Sequence, residues 1–96
     1  MIREVAQVSI KPDSHAEFEI ALARAHTEIL PHVTGLIEFV PVGWCVERPH
    51  VYMFTIDWET LEAHMVGFRE SENFSAWRTL IGPYFEGPAT VEHFSL

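Results

Sequence analysis

The sequence predicts an α+β fold: a ferredoxin-like βαββαβ sandwich with an antiparallel sheet and both helices on one of its faces. Three observations predict it. Strand-like and helix-like hydrophobic periods follow one another in the order strand, helix, strand, strand, helix, strand. The connections between these segments are short, and no repeat, low-complexity tract or linker interrupts residues 1–96, so a single domain is expected. The middle strands are apolar on both pleat faces, which one layer of helices cannot cover.

From Ile2 to Ile10 the residues alternate, with Ile2, Ala6, Val8 and Ile10 on one side and Arg3, Gln7 and Ser9 on the other, as in a half-buried strand. "KPDS" breaks it, and Ser14 with Glu17 three residues on has the spacing of a capping box. Phe18, Leu22, Ala25 and Ile29 then form the apolar stripe of a first helix, which stops at Pro31. A second strand spans about residues 36–46, where Pro41 and Gly43 mark a bulge or an edge. "ERPH" turns the chain into a third strand, Val51 to Trp58, with Tyr52, Phe54, Ile56 and Trp58 on one face and Val51, Met53 and Thr55 on the other.

Thr60 is placed to cap a helix running to Phe68, with Leu61, His64, Met65 and Phe68 as its stripe. Ser71 restarts a helix whose buried line is Phe74, Trp77 and Ile81. "IGPYFEGP" ends it, and residues 89–94 make a last strand. The sheet face opposite the helices then needs a cover, and a second copy of the chain packed sheet to sheet supplies it. The abundance of apolar side chains, 48% of residues with three Trp and seven Phe, agrees with such a homodimer.

The formal charge of −8, with Lys11 and five Arg against fourteen acids, disfavours binding to nucleic acid or anionic membranes. No apolar run approaches the ~18 residues that a membrane span needs. The lone Cys45 rules out an internal disulfide, and the N-terminal segment lacks the basic-then-apolar layout of a signal peptide, so the cytoplasm is the expected location. With one Cys and no His-x-x-x-His, no metal site is expected.

The stretch "DWETLEAH…FRESENFSAW", together with "KPDSHAEFE" after the first strand and the closing "VEHF", resembles the antibiotic biosynthesis monooxygenase family. The resemblance covers nearly the whole chain and implies a dimeric α/β barrel with a small pocket between sheet and helices in each subunit. In the branch that oxidises polyketide phenols without metal or flavin, a strand-end Trp, a Tyr six residues later and an Arg on the next helix line that pocket. The matching positions here are Trp58, His64 and Arg78, and an Asn four residues before the Trp is replaced by Phe54. A haem-degrading branch uses an Asn, a Trp and a ligating His at positions occupied here by Ala6, Phe68 and Arg78, so the resemblance implies no haem.

The expected function is therefore cofactor-independent oxygenation of a small phenol, hydroquinone or anthrone-like compound by O2. Arg78 would hold the anion, His64 would remove and return a proton, and Trp58 would complete the catalytic set. Phe54, Phe68, Phe74 and Trp77 would stack the ring, Tyr84 would act as a lid or plug, and His93 as a second acid or base or as a bond across the dimer. Each has a plain alternative: aromatics at this spacing also build cores, and His64 is equally suited to a satisfied place within one. A non-catalytic binder of hydrophobic ligands, or an isomerase or cyclase using the same His, is the competing function.

Overall fold

Alternation in the sequence becomes a four-stranded antiparallel sheet in the computed structural model, which describes residues 1–96. The strands are β1 (Ile2–Ser9), β2 (Leu36–Trp44), β3 (Val51–Trp58) and β4 (Thr90–Ser95), in the order β2-β3-β1-β4. Helix α1 (His15–Glu28) joins β1 to β2, and a π-helix (Ala63–Phe68) followed by α2 (Glu72–Ile81) joins β3 to β4. This is the ferredoxin-like topology that the order of periods predicts.

The register sets which side chains meet. Ile2, Ala6 and Val8 oppose Trp58, Phe54 and Tyr52 across β1 and β3, and Ala6 opposes Val91 of β4. These inward positions are covered by both helices: Phe18 of α1 meets Tyr52 edge-on at 5.3 Å, and Trp77 of α2 meets Phe54 at 5.8 Å and Phe39 at 6.3 Å. Trp58, Phe18 and Ile10 are fully buried. Such T-shaped contacts place the positive ring edge against a negative face, adding about 0.5–1.5 kcal/mol each beyond area burial.

Local departures have physical reasons. The Ser14 hydroxyl caps no amide, because its backbone (φ −110°, ψ 5°) lies outside the extended region an N-cap needs, so the expected capping box does not form. Ser71 does cap, accepting from the Phe74 amide out of an extended backbone. Strand β1 ends at Ser9, and Ile10 forms an isolated bridge to Phe85. Both readings of Pro41 and Gly43 hold, since β2 is an edge strand and its register slips between those residues. After Trp58 the chain winds as a π-helix over residues 63–68 rather than as an α-helix, and the Arg69 amide bonds to the His64 carbonyl five residues back. Its wider turn leaves His64 and Phe68 buried but Met65 outward, and Leu61, which precedes it, is exposed too, so the expected stripe is narrower.

On the sheet's outer face Arg3 makes a two-pronged pair with Asp57 at 2.7 and 3.0 Å. Around it lie half-buried Val5, Met53 and Thr55 and exposed Val40 and Phe94, interspersed with polar Gln7, Glu38 and Glu92, on a face with no helix over it.

Candidate active site

A cavity of about 440 Å³ opens between the inner sheet face, the π-helix, α2 and the loop before β4. Its size falls within the range of about 300–1,000 Å³ usual for small-ligand pockets. The strands contribute Ala6, Val8, Phe54 and Ile56, because period-two alternation turns them all inward. Helix α2 contributes Phe74, Trp77, Arg78 and Ile81, and the π-helix contributes His64 and Phe68.

The expected site residues separate into wall, floor and exterior. Phe54, Phe68, Phe74, Trp77, His64 and Arg78 line the cavity. Trp58 does not: it is fully buried behind His64, its ring stacked on the imidazole at 4.8 Å and 15°. His93 also stands behind the lining, with its Nε2 2.7 Å from His64 Nδ1. Tyr84 packs half-buried against the core, while its neighbour Phe85 reaches the cavity. The Arg78 guanidinium is exposed at the cavity's edge, 5.8 Å over the Phe74 ring and without an ion-pair partner.

Two charged lining residues were not anticipated, Glu4 and Arg69. Glu4 was legible in principle, because it falls in phase with Ile2, Ala6 and Val8 and must point into the core. Its side chain is buried, its Oε1 accepts from Trp58 Nε1 at 3.0 Å, and the same oxygen lies 3.4 Å from His64 Nε2. Arg69 had no comparable signal, since the π-helix decides which way it faces.

This cluster is electrostatically displaced from ordinary values. Burial pushes the Glu4 carboxyl up to about 7, and the Trp58 hydrogen bond and the Arg69 charge pull it only part of the way back. Burial, then His93 and Arg69, lower His64 to about 4. His93 is also lowered, by burial and then by Arg69. Near neutrality both imidazoles are therefore uncharged, and one donates to the other across the 2.7 Å contact. No cluster of three or more His, Cys, Asp or Glu side chains is arranged to hold a metal ion, and no helix is long and apolar enough to cross a membrane.

A ferredoxin-like sheet with an aromatic cavity under its second helical segment, and a proton-sharing cluster in its floor, defines a class of small α+β proteins with an internal site between sheet and helices. The family model of the antibiotic biosynthesis monooxygenases matches residues 1–80, and the chain belongs to that family. It is 35% identical over 96 residues to the uncharacterized protein YczJ of Bacillus subtilis (strain 168), covering 98% of this chain and 97% of that one. A crystal structure from Bordetella bronchiseptica, of a protein ascribed to the same family, superposes with a TM-score of 0.92 at 34% identity over 99% of this chain and 95% of its own. SnoaB, a cofactor-independent oxygenase from Streptomyces nogalater, shares the fold at 15% identity and a TM-score of 0.76, over 99% and 91% of the two chains.

Proposed function

We propose that this protein is a cofactor-independent monooxygenase that oxidises a small phenol, hydroquinone or anthrone-like compound with O2. The observation that carries the reading is the cavity itself: aromatic walls from Phe54, Phe68, Phe74 and Trp77, a proton-sharing floor and a guanidinium at the edge, in a member of this family. An electron-rich aromatic anion gives electrons to O2 directly, so the protein has to form the anion, hold it away from water and reprotonate the peroxide. Arg78 has the permanently charged fork that stabilises such an anion, and Phe54, where the phenol-oxidising branch carries Asn, makes that part of the wall purely apolar.

The proposal includes a homodimer packed through the outer sheet faces, supported by the exposed Val40 and Phe94 beside half-buried Met53. The test is oxygen consumption by purified, metal-stripped protein with a panel of hydroquinones and anthrones, alongside His64→Ala. Uptake that falls at least about tenfold in the variant is the expected result for a member of the proton-sharing cluster. Unchanged uptake removes His64 from the mechanism. The Glu4, His64 and His93 cluster also suits a proton-transfer isomerase or cyclase, for which product mass equals substrate mass and no oxygen is consumed. Saturable binding with neither outcome marks a non-catalytic binder.

A further inference from the structure

We infer that the group exchanging protons with the bound substrate is the carboxyl of Glu4, acting through Oε2, and that His64, Trp58 and His93 are positioning residues that hold it there. The inference rests on the oxygenase reading and assigns its base. Its first ground is availability. His64 lines the cavity with Nδ1 in a 2.7 Å contact with His93 Nε2, while its Nε2 faces Glu4 Oε1 at 3.4 Å. An ionised Glu4 favours the tautomer with the proton on Nε2, facing the carboxylate, so that Nδ1 accepts from His93 and the ring keeps no lone pair for a ligand.

Glu4 is the opposite case. Its Oε1 is held by Trp58 at 3.0 Å and faces His64, whereas Oε2 makes no hydrogen bond. No fully buried side-chain oxygen or nitrogen in the protein lacks a partner, so Oε2 retains accessible surface. Since Glu4 is otherwise 5% exposed and lines the cavity, that surface opens onto the cavity. The other polar side chains of the lining are Arg69 and Arg78, which donate and cannot accept a proton. Glu4 is thus the one available base in the wall.

Its surroundings favour the task. The charged and titratable groups around it are His64 on the π-helix, Arg69 just after it, Arg78 on α2 and His93 on β4; β3 adds Trp58, while its Asp57 faces outward, paired with Arg3. A carboxyl poised at about 7 can both take and return a proton at neutral pH.

The step balances with O2 as oxidant. Oε2 takes the proton from a phenol O–H or an activated ring CH2, leaving the substrate anion. The anion gives two electrons to O2 as a C–O bond forms, and the resulting peroxide anion recovers the proton from Glu4. Cleavage of the O–O bond with loss of water leaves a carbonyl, and Glu4 is again ionised.

The test uses the intact protein with Glu4→Gln, which keeps an oxygen for the Trp58 hydrogen bond, and with His93→Gln. In carbon NMR of the glutamate carboxyls, without substrate, one resonance titrates near neutrality in the wild type and is absent from Glu4→Gln. If every carboxyl titrates in the ordinary acidic range, the inference is overturned. With any compound that supports oxygen uptake, Glu4→Gln lowers kcat about a hundredfold, the scale of general-base catalysis, and abolishes its rise through neutral pH. Retention of the wild-type rate and profile overturns the assignment. His93→Gln keeps the rise but displaces its midpoint, as a positioning role requires, and an unmoved midpoint removes His93 from the set. If no compound supports uptake, the oxygenase reading fails on its own, and a nitrophenol probe still decides the base. Binding with appearance of visible phenolate absorbance in the wild type but not in Glu4→Gln supports the assignment, and identical spectra overturn it.

Discussion

Glu4 and His64 make opposite contributions to the dependence of stability on pH. The folded carboxyl titrates at about 7 against an ordinary 4.5, so the native state holds this proton more tightly, and the contribution is complete below 4.5 and lost as pH rises through 7. The folded imidazole titrates at about 4 against 6.5, so its contribution is present above 6.5 and lost as pH falls through 4. Between 4.5 and 6.5 the slopes oppose each other, and from 6.5 to about 7 that of Glu4 acts alone before it levels off. Thermal unfolding followed across pH is therefore expected to show wild-type Tm falling above 6.5 and Glu4→Gln remaining flatter there; parallel curves would refute the linkage. At Trp58 the effect runs through the indole N–H, which draws the Glu4 carboxyl down. Trp58→Phe keeps most of the buried surface but removes that donor, so the titration of Glu4 is expected to move higher, as read by carboxyl NMR.

Among the elements, the π-helix was the hardest to read from sequence and the most consequential for the site. Leu61, His64, Met65 and Phe68 have α-helical spacing, yet only His64 and Phe68 of the four are buried, and the winding turns to π from Ala63. Local periodicity cannot distinguish the two windings, because the choice depends on how the segment docks on β3 and on the turn before β2. Gly35 is part of that docking. It sits at φ +83° with its carbonyl 2.8 Å from the Glu59 amide, and a Cβ added there would meet the Ala63 Cβ at 2.6 Å. Gly35→Ala is expected to destabilise by at least roughly 1–3 kcal/mol, the cost of an unfavourable backbone region alone. Urea unfolding measures it, and a loss below half a kcal/mol, about the scatter of ordinary surface substitutions, would show that the segment can shift freely. The strands and α1 were far more legible, since Phe18, Leu22 and Ala25, and the inward set Tyr52, Phe54, Ile56 and Trp58, are buried as their spacing requires.

For the whole molecule, the outer face of the sheet sets the expected assembly. Val40 is 40% and Phe94 50% exposed on a face that no helix covers. Sedimentation at micromolar concentration is expected to show a dimer, and Phe94→Asp, which puts a second carboxylate beside the Arg3–Asp57 pair on that face, is expected to shift it towards monomer. A wild-type monomer would leave that face without the proposed cover. The charge of −8 works against the approach of an anion, so a site that holds one needs local cations. Arg69 and Arg78 at the cavity are free of ion pairs and available for that purpose.

By itself the sequence determined the order of elements, the inward and outward faces of the strands, the apolar line of α1 and α2, and the aromatic walls of the site. These follow from side-chain period and chain direction, which are local properties. Only the tertiary structure decided that Trp58 stands behind the cavity, that His93 reaches His64 from another strand, and that Glu4 holds the floor with one oxygen free. The last two of those relations join residues 29 and 54 positions apart, and they arise from strand register and helix docking, which no local pattern encodes.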